Sequence, residues 1–134
     1  MAAAPIGLDA SVVVRLLVGL PQGQAAIARR RLERAFEDDQ PILVCDLVLA
    51  ETYYALHHHY RVPKDEARRL LRDFAASGLV TVEPPEVADA LAPDRGAGLV
   101  DRLIHARYRR VGAVVVTFER KQAALGGPER LPGR

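Results

Sequence analysis

The chain has 134 residues, 19 of them basic and 17 acidic, for a net charge of +2. That length fits one domain able to bury roughly two-thirds of its unfolded surface, so neither a disulfide nor a structural metal is needed for folding. A hydrophobic fraction of 49% without a low-complexity segment excludes a disordered chain, and the single cysteine, Cys45, excludes an internal disulfide.

Pro5 to Asp9 is expected to form a short buried strand. Ser11 to Gly19 follows as a helix, with Ser11 as a possible N-cap and Gly19 as its stop. Pro21 opens a second helix whose apolar positions Ala25, Ala28, Leu32, Ala35 and Phe36 recur at helical spacing. Arg29, Arg30, Arg31 and Arg34 lie largely off that stripe, as a solvated face does. Pro41 to Cys45 is a second strand, with Cys45 a core residue. Asp46, read as an N-cap, starts a helix to about Tyr60. Another opens at Pro63, with Ala67, Leu70, Leu71 and Phe74 on one face and Gly78 beyond its end. Leu79 to Glu83 reads as a third strand, and Pro84-Pro85 starts a short helix. Ala92 to Gly98 is a loop containing a further acid, Asp94. A helix spans Leu99 to about Val111, a fourth strand Ala113 to Val116, and the tail frays from about Gly126. There is no internal repeat and no boundary, so residues 1–134 are expected to be one domain. Strands alternating with helices imply an α/β fold with a parallel sheet.

Four carboxylates stand out against this pattern. Asp9 closes the first strand. Glu51 and Asp101 interrupt apolar helices, in Leu49-Ala50-Glu51-Thr52 and Val100-Asp101-Arg102-Leu103. Glu119 follows the last strand. Isolated carboxylates rarely sit among apolar neighbours. In open α/β sheets ligands bind beyond the C-terminal strand ends, where Asp9 and Glu119 lie. Glu51 shares a helical face with Leu47, Val48 and Ala55 and is expected to point inward. Two like charges about 4 Å apart repel by roughly 4 kcal/mol at an effective dielectric of 20, so such a cluster calls for a counter-ion. Oxygen-only ligation selects a hard cation, Mg²⁺ or Mn²⁺, and such an ion can activate water for attack on a phosphodiester. The expectation is a metal-dependent hydrolase, a nuclease. Setting four of the 17 acids aside leaves 13 against 19 basic residues, a balance that permits a nucleic-acid partner. Thr117 offers a hydroxyl at the same edge. Ser11 and His105, the latter one turn after Asp101, are further supporting candidates.

In order and spacing these residues resemble a PIN domain, and within that superfamily a VapC-type toxin of bacterial toxin–antitoxin pairs. The resemblance runs from Ile6 to about Leu125. It is carried by Gly7-Leu8-Asp9-Ala10-Ser11, Asp46-Leu47-Val48-Leu49-Ala50-Glu51, Leu99-Val100-Asp101 and Val116-Thr117-Phe118-Glu119. It implies a three-layer α/β/α fold around a mostly parallel sheet of four to five strands. It also implies a Mg²⁺- or Mn²⁺-dependent endoribonuclease acting on RNA. By the same resemblance the chain is a homodimer, blocked by a cognate antitoxin whose tail lies over the acidic groove. Three features depart from the pattern. Glu119 stands where the family usually has aspartate, Arg102 where a small residue is usual, and little chain remains for a last edge strand.

Other residues have plainer readings. His57-His58-His59 cannot converge on one ion, because successive helix positions point about 100° apart; they are expected at a surface helix end. Tyr53 and Tyr54 are expected in core and interface. A non-catalytic PIN-like module binding RNA or protein is the alternative function. A phospho-acceptor receiver domain is disfavoured because Asp9 stands without an adjacent acid. The single cysteine fits a reducing, cytoplasmic location; no segment is apolar enough to span a membrane, and Met1-Ala2-Ala3-Ala4 does not open as a secretory signal does.

Overall fold

The computed structural model describes residues 3–91 and 98–133. Asp94 and the loop expected around it lie outside the described residues. Strand β1 (Ile6–Gly7) leads into helix α1 (Ala10–Val18), α2 (Gln22–Glu37), β2 (Ile42–Cys45), α3 (Asp46–His58) and α4 (Lys64–Ala75). Then come β3 (Thr81–Glu83), a 3₁₀ helix (Pro85–Leu91), α5 (Leu99–Arg110), β4 (Val116–Thr117), α6 (Arg120–Ala123) and β5 (Glu129–Arg130).

The first three strands form a parallel sheet in the order β1-β2-β3, with Gly7 opposite Leu43 and Val44 opposite Val82. β2 is central because its sequence, Ile-Leu-Val-Cys, suits a strand covered on both faces. Ile42 and Val44 are buried, and Leu43 and Cys45 are partly covered. The expected α/β architecture with a parallel sheet is present. β4 and β5 form a separate parallel pair in which Val116 faces Glu129. With only two residues each, these strands offer few backbone bonds, and among the described residues β1 keeps one edge unpaired. β5 is the short last strand, set in the stretch expected to fray.

The core lies where α1, α3, α4 and the 3₁₀ helix meet the sheet. Val13, Val44, Leu49, Leu56, Leu71 and Val87 are all fully buried there. On α2 the apolar stripe buries Ala25, Ala28, Leu32 and Ala35 as its spacing requires, but Phe36 remains exposed. α1 stops at Gly19, which adopts φ +79° and donates its N–H to the Arg15 carbonyl at 2.8 Å. A side chain is strained in that left-handed conformation, so glycine suits it.

α1 packs on α3, α3 on α5, and α5 on α6. This row of helices carries the four acids of interest. Among the described residues no single helix is long and apolar enough to cross a membrane.

Candidate functional site

Asp9 sits between β1 and α1 and caps the helix. Its Oδ2 accepts the backbone N–H of Ser11 at 3.2 Å and the Ser11 hydroxyl at 2.7 Å. The cap is therefore Asp9 and not Ser11, because the chain is already helical from Ala10. Both hydrogen bonds favour the ionised carboxylate. They hold Asp9 below the usual carboxylate range, the Ser11 hydroxyl contributing most. Ser11→Ala is expected to bring the Asp9 titration up towards the ordinary aspartate value, about 3.9. Carboxyl NMR chemical shifts against pH would measure this, and an unmoved midpoint would contradict the assigned cause.

Glu51 does not point inward. The buried stripe of α3 runs through Asp46, Leu49, Thr52 and Leu56. Glu51 is two residues from Leu49, about 200° around the helix. It lies instead on the outer stripe with Leu47 (71% exposed), Tyr54 (59% exposed) and His58. Asp101 stands in the first turn of α5, partly covered. It lines a hollow of about 210 Å³ with Tyr53, Tyr54, His57, His58 and Lys64. Glu119 occupies the N-cap position of α6 and is exposed. Its backbone N–H donates to the Thr117 hydroxyl at 2.9 Å, so Thr117 shapes the turn that presents it.

The supporting residues fall in different hollows. Ser11 lines one of about 570 Å³ between β1, α1 and α2, with Arg15 and Arg31. His105 lines another, beside the 3₁₀ helix. The four acids share one row of packed helices and adjoining strand ends. Even so, among the described residues no three Asp, Glu, His or Cys side chains gather closely enough to hold a metal ion. The donor set suits a hard cation by chemistry, being carboxylate oxygen throughout. As the side chains stand, they are not gathered around one ion.

Asp46 has a role that capping does not describe. It is the first residue of α3, follows the cap position Cys45, and is only 5% exposed. Arg107 on α5 donates Nε to Asp46 Oδ2 at 2.7 Å and its Nη2 to Oδ1, a two-pronged pair across 61 positions of sequence. Leu47 adds its N–H at 2.9 Å. The guanidinium lowers the Asp46 pKa, against the opposing effect of burial, and the carboxylate in turn raises that of Arg107. A carboxylate directly after an apolar strand was the available sign of a buried pair. Nothing in the local pattern indicated which of the many arginines completes it.

His57 binds the Val62 carbonyl through Nδ1 at 3.0 Å, and the His58 ring stacks on Tyr54 with centroids 4.1 Å apart. The histidine run therefore closes the end of α3 and does not converge. Arg29, Arg30 and Arg34 are exposed, and Arg31 donates to Gln40 at 2.9 Å.

The sequence model of the PIN domain matches residues 6–128. No curated protein and no solved structure matches the chain.

Proposed function

The chain belongs to the PIN domain family, a family of nuclease-type modules that typically use divalent metal ions, and we propose that it is a metal-dependent endoribonuclease. The observation that carries this reading is the family match over residues 6–128. Asp9, Glu51, Asp101 and Glu119 would hold Mg²⁺ or Mn²⁺. A bound ion would supply charge neutralisation and an activated water. The metal requirement rests on the family and on the oxygen-only donor set, not on the present placement of the side chains. Among the described residues, the exposed Glu51 and Glu119 carboxylates offer their oxygens to solvent, and at Asp9 Ser11 already holds one oxygen.

Within this reading the protein is a cytoplasmic VapC-type toxin neutralised by a cognate antitoxin, and it acts as a homodimer. Leu47, Tyr54, Ile104 and Tyr108 leave large apolar area uncovered on α3 and α5, which favours an oligomer. The test is cleavage of a mixed RNA substrate with millimolar Mn²⁺. Wild type is expected to yield discrete fragments, and Asp101→Asn none above background. Equal cleavage by both would remove Asp101 from the site.

A second reading is a PIN-like module that binds RNA or protein without cutting. Glu119 in place of the usual aspartate, and Arg102 beside Asp101, favour it. RNA binding indifferent to Mn²⁺, with no fragments formed, is the result that would select it.

A further inference from the structure

The hollow between the 3₁₀ helix and α5 encloses about 570 Å³. α5 lines it with Arg102, His105, Arg109 and Arg110. The 3₁₀ helix lines it with Glu86 and Asp89. Among the described residues, neither Arg109 nor Arg110 forms an ion pair with either carboxylate, in contrast to Arg107, which closes on Asp46. Among the described residues, Arg109 and Arg110 thus border one space with Glu86 and Asp89 without pairing with them. Among the described residues, both ring nitrogens of His105 are buried with no hydrogen-bond partner, and leaving such atoms unpaired costs free energy.

The last turn of a helix favours cations, which accounts for basic residues at 109 and 110. It does not account for the acids on the other wall or for the orphaned imidazole. A bound cation is not favoured either, since no three metal-binding side chains gather there among the described residues. The combination suits a ligand carrying an anion at one end and hydrogen-bond donors at the other.

We propose that this hollow is a nucleotide subsite for an RNA strand, with Arg109 and Arg110 on phosphate and Glu86 and Asp89 accepting from ribose hydroxyls or base amines. Arginine suits phosphate because its planar fork presents paired donors. The 2′-hydroxyl is the donor that separates RNA from DNA. Asp101 lies on the same helix, and at 1.5 Å per residue Arg109 is about 12 Å further along the axis. The assignment deepens the nuclease reading and rests on it for the choice of RNA over other polyanions.

The experiment is fluorescence anisotropy of a labelled ten-nucleotide RNA, in EDTA, at a series of salt concentrations. EDTA keeps cleavage out of the measurement. Each phosphate contact in a single strand contributes about 0.7 to the slope of log affinity against log salt. Arg109→Ala with Arg110→Ala is expected to reduce the slope by about 1.4 and weaken binding roughly 20-fold at 0.1 M salt. Arg29→Ala with Arg30→Ala removes the same charge from an exposed helix face and is expected to change both much less. Glu86→Gln with Asp89→Asn is expected to reduce the preference for RNA over DNA of the same sequence. Unchanged binding in the Arg109/Arg110 variant overturns the proposal, as does an equal loss in the charge-matched control. If that variant alone loses binding while wild type cuts no RNA with Mn²⁺, the subsite stands and the nuclease reading falls. If wild type cuts and the variant binds normally, the reverse holds.

Discussion

Asp9→Asn is expected to cut RNA cleavage by more than about 100-fold while leaving the protein folded. The two halves of this expectation come from different parts of the same side chain. Substitution of groups that merely support metal ligands typically costs 10- to 100-fold, so loss of a ligand charge lies beyond that range. Stability is another matter, because Asp9 also caps α1 through Oδ2. Asparagine caps a helix about as well as aspartate, and its amide oxygen can accept the same Ser11 N–H. Alanine cannot, and Asp9→Ala is expected to lose stability as well as the activity. Urea unfolding of both variants, beside an RNA cleavage time course, separates the two effects. An Asp9→Asn protein that cleaves at the wild-type rate would reduce Asp9 to a helix cap and move the site elsewhere on the row of helices.

The fold was legible wherever local pattern determines it. The apolar run at Ile42 to Cys45 formed the central strand. Pro21 and Pro63 each preceded a helix, and Gly19 ended one. The order of these elements sufficed to place Asp9 beyond a strand end. The facing of Glu51 was not legible, and the reason is specific. Leu47, Val48, Leu49 and Ala50 are four successive apolar residues, so they cover every side of a helix and set no phase. The phase of α3 is fixed by contacts distant in sequence, among them Asp46 with Arg107, and these turn Leu47 and Glu51 outwards together. An apolar neighbour in sequence is therefore not an apolar neighbour in space. The hollow beside the 3₁₀ helix was hidden for the same reason. Its two walls, at 86–90 and 102–110, come together only through packing.

The pair that sets this phase should be the most sensitive polar contact in the molecule. Arg107→Ala leaves the Asp46 carboxylate buried without its cation. Removing one partner of a fully buried pair costs about 3–5 kcal/mol. Arg107 keeps 48% of its side chain exposed, so solvent screens the attraction. A loss of stability well below that range is expected, read as a fall in melting temperature. The pH dependence gives the cause away. Asp46 has a lowered pKa in the folded protein. The unfolded chain therefore takes up protons first on acidification, and the stabilisation is complete only above the unfolded value, near 3.9. It is lost as pH falls from there through the folded value. The stability gap between wild type and Arg107→Ala should be widest at neutral pH and close below about pH 4. A gap that persists unchanged at acid pH would mean that Arg107 acts through the packing of its methylene stem, and that the orientation of α3 against α5 does not depend on the charge of Asp46.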